Sequence, residues 1–183
     1  MSKYLRARYI PVMDSDHVDR MRQAWAARQP ELDTTPLDVA GRLLRLATHL
    51  QRSISAALAP LGLSYGDFDI LSTLRRENSW LSPSALARSV LLSSGATTAR
   101  LNRLEAAGLL RRDIDRDDRR AIRVQLTEAG QQKAATAVQA VLAADEAFLE
   151  PLSQRQNADL IRAMRTLLVA AEADGVDLQH RAP

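Results

Sequence analysis

The stretch Ser94-Gly95-Ala96-Thr97-Thr98-Ala99-Arg100-Leu101-Asn102-Arg103-Leu104-Glu105-Ala106-Ala107-Gly108-Leu109-Leu110 decides the fold. At the helical period Thr97, Leu101, Leu104 and Gly108 fall on one face, through which the helix docks, while Gly95, Thr98, Ala99, Asn102 and Arg103 face away. The outward set is small, polar or cationic. A face of that kind can approach base-pair edges in a major groove, where Arg pairs with guanine and Asn with adenine. Gly108 stops the helix.

Upstream, Ser82-Pro83 starts a short helix carrying Leu86 and Val90, and the Leu92-Ser93-Ser94 turn joins it to the first stretch, making a helix-turn-helix. The hydroxyls and backbone N–H groups of Ser93 and Ser94 suit a phosphate. Downstream, Leu109 to Ile114 and the alternating Ile122-Arg123-Val124-Gln125-Leu126 read as a hairpin around the charged tip Asp115-Arg116-Asp117-Asp118-Arg119-Arg120. Alone, that tip reads as a solvated, self-paired turn; directly after a helix-turn-helix it reads as a wing whose arginines enter a minor groove or neutralise phosphates.

Further outward the helices are punctuated by capping signals. Asp14, Ser15 and Asp16 precede Val18, Met21 and Trp25; Thr35, Pro36 and Asp38 open a stripe through Leu43, Leu46, Leu50, Ile54 and Leu58 that ends at Pro60 and Gly62. Ser64 with Asp67 starts a helix that buries Phe68, Leu71 and Leu74, Thr127 caps a long Ala-rich helix to about Leu149, and Ser153 with Gln156 starts the last through Leu160, Met164, Leu167 and Ala171. The fold expected is mainly α: a winged helix-turn-helix over 63–127, a dimerisation helix over 36–62, C-terminal dimerisation helices over 128–175, and an extension with an extra helix over 1–35. The tail after Gly175 is expected to fray.

Composition sets outer bounds. With 183 residues, 46% hydrophobic and 26% charged, the chain is of ordinary globular make-up, and its net charge of +3 leaves local clustering to indicate partners. The absence of cysteine removes disulfides, thiolate chemistry and Cys-based zinc sites. His17, His49 and His180 lie far apart without metal-ligand spacing, and there is no Gly-rich phosphate loop, so no enzyme is expected and no cofactor. No apolar run approaches the roughly 18 to 20 residues of a membrane span. A cytoplasmic protein without membrane association is the expectation.

The segment Leu86 to Gly130 resembles the MarR family of winged-helix regulators, through the quoted stretch and through Asp118-x-Arg120 followed by Leu126-Thr127. The resemblance implies a homodimer, joined through its terminal helices, that binds a short palindromic operator in double-stranded DNA with half-sites about one helical turn apart. It implies Arg120 at the wing tip braced by Asp118, with Ser94, Gly95, Thr98, Asn102, Arg103 and Arg119 completing the DNA-binding set. Ala137, Val141, Ala144, Leu160, Met164 and Leu168 read equally as interface or as core of their own subunit.

Trp25, Pro30, Leu32 to Leu37 and Gly41-Arg42-Leu43 are similar to the urate-responsive, PecS-like and TamR-like branch of that family. That resemblance implies a repressor released by a small anionic ligand, urate or a related purine, bound by Trp25, Asp69, Arg100 and Arg112. Arg100 sits at the edge of the buried face and Arg112 on the first wing strand, two inward cations that need an anion, which Asp69 supplies in the empty protein. Asp67 competes for this role but is already accounted for as a cap. Trp25 also reads as a packing staple and Arg112 as a phosphate contact. The alternatives are a winged-helix regulator without a purine pocket, and a helical protein-interaction module whose charged hairpin meets an acidic partner.

Overall fold

The computed structural model describes residues 15–90, 94–114 and 122–173. The chain divides into two compact units, Met1–His49 and Leu50–Pro183. The helices are α1 (His17–Arg28), α2 (Leu37–Leu58), α3 (Tyr65–Glu77), α4 (Pro83–Ser89), α5 (Ser94–Ala106), α6 (Glu128–Leu149) and α7 (Gln154–Ala173). The strands β1 (Leu110–Ile114) and β2 (Ile122–Leu126) form an antiparallel hairpin between α5 and α6.

In the first unit, Asp16 caps α1 through the N–H groups of Val18 and Asp19, and Asp19 returns the contact to the Asp16 N–H. Val18, just inside that cap, is buried. Arg42 gathers three carboxylates, at 2.7 Å from Asp16, 2.6 Å from Asp19 and 3.1 Å from Asp38. These hydrogen bonds raise its pKa, so it stays charged throughout. Arg22 adds a second cation on Asp38 at 2.5 Å. Asp38 therefore does not close a capping box with Thr35: its carboxylate is taken by the two arginines, and the Thr35 N–H donates to Asp33 instead.

In the second unit, α3 packs against α4, α5, α6 and β2. The core joins Ile54 and Leu58 of α2, Ile70, Leu71 and Leu74 of α3, Leu86 of α4, Leu101 and Leu104 of α5, Leu110, Val124 and Leu126 of the hairpin, and Ala134, Ala137 and Val141 of α6. Each fully buried leucine contributes about 1.5 to 3 kcal/mol. Ala137 and Val141 are thus core of their own subunit, whereas Leu160, Met164 and Leu168 of α7 are exposed.

The capping signals set the boundaries of this unit. Ser64 and Asp67 form a reciprocal box at α3, Ser82 accepts from the Ala85 N–H before Pro83, Thr127 accepts from the Gly130 N–H, and Ser153 pairs with Gln156. Gly108 lies beyond the end of α5 rather than on its docking face, at φ 69°, a left-handed conformation that lets the chain reverse into β1 without steric cost. Among the described residues no helix is long and apolar enough to cross a membrane.

Candidate nucleic-acid interface

The α5 helix is anchored by Thr97, Leu101 and Leu104, each no more than 3% exposed. Gly95, Thr98, Ala99, Asn102 and Arg103 lie on its exposed side. The short α4 packs against it, with Leu86 and Val90 buried between the pair and the rest of the core. A helix held by one apolar edge, with small and polar side chains outward, can lie in a major groove without a steric barrier. The Ser94 side chain, Asp118, Arg119 and Arg120 lie outside the described residues, as does the Ser93 end of the turn.

The inward corner of α5 differs from the sequence expectation. Arg100 and Arg103 do not divide into an inward and an outward cation; both meet the carboxylate of Asp67. The Asp67 Oδ2 accepts from the Ser64 N–H at 2.8 Å and from the Ser64 hydroxyl at 2.6 Å, which is the capping role. Its Oδ1 remains for the guanidinium groups, Arg103 in direct hydrogen bond and Arg100 at 3.6 Å. A carboxylate has two oxygens, so capping α3 and pairing with α5 do not exclude each other. Asp69, the carboxylate favoured on sequence grounds, lies roughly 200° further round the helix. Its charge instead bears on Tyr65, whose phenol is pushed up by burial first and then by Asp69 and Asp145.

Asp67 is 1% exposed. Burial alone works against its ionisation, but the Ser64 hydroxyl, the Ser64 N–H and Arg103 together outweigh that effect and hold the carboxyl below its ordinary value. Arg100 also donates to the Ser64 hydroxyl at 2.7 Å and lies flat on Gly66, where a Cβ would come within 2.7 Å of its guanidinium carbon. The Arg100 Nε is buried with no hydrogen-bond partner. Arg100 is therefore a cation lodged between two helices with one donor unused.

Arg112 projects from β1 towards α5, where it lies 3.2 Å from the Glu105 carboxylate and donates to the Asn102 side chain at 2.6 Å. Its counter-charge is Glu105, not Asp69. Asn102, expected to read bases, is thereby oriented from behind by the wing. Trp25 belongs to α1 in the first unit and is 40% exposed. Ser64, Gly66, Asp67 and Glu105 are the residues that sequence reasoning left out of the site; the Arg100 and Arg112 positions, each requiring an anion, were the signal that pointed to them.

Known proteins share sequence and fold with this chain. Residues 61–121 match the MarR family model, a span that runs from the α2–α3 turn into the hairpin. The HTH-type transcriptional regulator PecS of Dickeya dadantii is 33% identical over 156 residues, covering 84% of this chain and 90% of PecS. The structure is similar to that of the Mycobacterium tuberculosis MarR family protein Rv2887 in complex with DNA, with TM-score 0.58 and 32% identity, covering 70% of this chain and 96% of Rv2887. Rv2887 in complex with p-aminosalicylic acid matches at TM-score 0.59 and 31% identity, covering 70% of this chain and 97% of Rv2887. AbsC of Streptomyces coelicolor, a MarR family regulator, has the same fold at TM-score 0.69 and 24% identity, covering 78% of this chain and 97% of AbsC. These relatives are transcriptional regulators rather than enzymes, and the chain belongs with them to the MarR family of winged helix-turn-helix transcriptional regulators.

Proposed function

We propose that this protein is a homodimeric repressor that binds a palindromic operator and is released by a small planar anion of the urate or purine class. The observation that carries the DNA-binding reading is α5 itself, docked through Thr97, Leu101 and Leu104 with Gly95, Thr98, Ala99, Asn102 and Arg103 on its exposed side. Ser94 at the helix start and Arg119 and Arg120 at the wing, braced by Asp118, complete the proposed contacts. The Rv2887–DNA complex supports this reading by likeness. The α7 helix supports the dimer, because Leu160, Ile161, Met164, Leu167, Leu168 and Val169 are all exposed on it and need a cover.

The release reading rests on Arg100, Arg112 and Trp25, with Asp67 taking the place first given to Asp69. An incoming anion competes with Asp67 for Arg100, offers an acceptor to the unused Nε, and so loosens the tie between α3 and α5. Rv2887 bound to p-aminosalicylic acid, itself an aromatic carboxylate, supports a ligand of this charge and shape.

The experiment is footprinting on DNA upstream of the protein's own gene, with and without urate. The expected result is a protected palindrome with half-sites about one helical turn apart, affinity that falls steeply with salt, and loss of protection as urate is added. Absence of any sequence preference on DNA overturns the regulator reading in favour of a protein-interaction module. Protection that persists at millimolar urate removes urate while leaving operator binding intact.

A further inference from the structure

The hairpin has two faces. Leu110, Val124 and Leu126 turn into the core, so Arg111, Asp113, Arg123 and Gln125 occupy the other side. Trp80 joins them there. Its neighbour Leu81 is hydrogen-bonded to Val124 in both directions, the Leu81 N–H donating at 3.0 Å and the Val124 N–H at 2.7 Å. The Trp80 ring then receives two cations: the Arg123 guanidinium carbon lies 4.5 Å from the ring centroid and that of Arg111 lies 5.1 Å away.

Among the described residues, conventional partners do not account for these arginines. The Arg123 side chain is 15% exposed, its Nε is buried without a hydrogen-bond partner, and its carboxylate partner, Asp113, stands off at 3.5 Å. Arg111 donates to the Gln125 side chain at 3.1 Å, a neutral acceptor. A desolvated guanidinium without good acceptors is costly, and the negative face of an indole offsets that cost. The ring touches one arginine from each strand, while its own backbone belongs to the segment that enters α4.

We propose that Trp80 is the positioning residue of the wing: it grips β1 through Arg111 and β2 through Arg123, and so fixes the angle at which the hairpin leaves the helix-turn-helix. Leu110, Val124 and Leu126 seat one face of the hairpin on the core and Leu81 bridges β2; the Trp80 stack adds the hold on the opposite face, which limits how far the two strands tilt about that seat. The consequence for DNA rests on the reading that the wing contacts the operator flanks, whereas the grip itself does not.

The test compares Trp80→Leu, which keeps apolar bulk and removes the π face, with Trp80→Phe, which restores a π face. In the free protein, amide hydrogen exchange at Leu81 and Val124 is expected to quicken about 3- to 30-fold in W80L and to return to within about 3-fold of wild type in W80F. Exchange at Ala134, deep in α6, stays at the wild-type rate in both and shows that the core is intact. On operator DNA, hydroxyl-radical protection of the flanks is lost in W80L while protection by α5 at the half-site centres remains. Unchanged exchange in W80L overturns the proposal, and so does W80F as fast as W80L, which would make the ring mere bulk. Quickened exchange rescued by W80F, in a protein whose wild type gives no flank protection, upholds the grip and removes the wing from the DNA.

Discussion

Two pairs of arginines stand in the DNA-binding unit, and they are held by opposite means. Arg100 and Arg103 converge on Asp67, a carboxylate 1% exposed, whereas Arg111 and Arg123 converge on the ring of Trp80. A carboxylate neutralises a guanidinium, titrates, and can be displaced by another anion; an aromatic face stabilises the cation without cancelling its charge or titrating. The first pair is therefore an exchangeable contact, which is what the proposed release by an anion requires of α5. The second is a fixed one, suited to an element whose angle must not change.

The hardest way to break this contrast is to remove the carboxylate. Asp67→Ala takes away the reciprocal half of the α3 capping box, leaves the Ser64 N–H without its acceptor, and leaves two guanidinium groups without their carboxylate. Ser64 remains the N-cap, and losing the reciprocal hydrogen bonds from it costs about 0.5 to 1.5 kcal/mol. Arg103 is 56% exposed and rehydrates, so the ion pairs add less than a fully buried pair would. A total of about 2 to 3 kcal/mol, read as a lowered urea midpoint, is expected. Loss below about 0.5 kcal/mol would mean that Asp67 serves only as a charge beside α5 and not as its anchor.

Acid should separate the two pairs without mutation. The Asp67 carboxyl is held below its ordinary value in the folded protein, so it contributes stability that is fully present above the unfolded carboxylate pKa of about 4 and is lost as pH falls through the lower folded value. The Trp80 ring on which the second pair converges carries no acid or base group. Hydrogen exchange at the first turn of α3, followed from pH 6 downward, should quicken relative to exchange at Val124 once the intrinsic pH dependence is removed. Parallel behaviour of both sites would dissolve the distinction drawn between them.

A smaller change leaves Asp67 in place and moves only Arg100. In Gly66→Ala the added Cβ falls 2.7 Å from the Arg100 guanidinium carbon and Nε, so the side chain must lift off α3. The obstructing group is the flexible end of an arginine, and alanine favours the helix over glycine by about 1 kcal/mol, so stability stays within about 1 kcal/mol of wild type. Ligand release should suffer instead: operator affinity is kept while the urate concentration needed for release rises several-fold. Unaltered release would remove Arg100 from the ligand's path.

The contrast also marks what a sequence can and cannot convey. Caps, the α5 wheel and the hairpin depend on residues near one another in the chain, so Ser64 with Asp67, Thr97 with Leu101 and Leu104, and the two strands of the hairpin were all legible, although not their register. The double use of Asp67 was not, because assigning it to a cap seemed to exhaust it, when one oxygen was still open. Glu105 as partner of Arg112, and Trp80 as partner of Arg111 and Arg123, depend on how β1 crosses α5 and how Leu81 joins β2. Nothing in local periodicity specifies those crossings. The α6 stripe, equally ambiguous in sequence, was decided by packing in favour of the core at Ala137 and Val141.

Arg112 falls between the two pairs and gives the finest test. Its carboxylate partner Glu105 is 39% exposed and 3.2 Å away, and its second contact is the Asn102 amide. Exposed pairs of this kind are worth about 0.2 to 1 kcal/mol, so Glu105→Gln should barely shift the urea midpoint. Glutamine still offers an acceptor, so the side chain of Arg112 keeps its place while its charge loses its counterpart. One more uncompensated cation then stands behind Asn102. If that cation faces DNA phosphate, operator affinity rises and the slope of log affinity against log salt steepens by about 0.9. If it faces the ligand, the slope is unchanged and urate releases the operator at lower concentration. The two results assign Arg112 to different sides of α5, and a variant that alters neither leaves Glu105 as a solvated neighbour with no part in the switch.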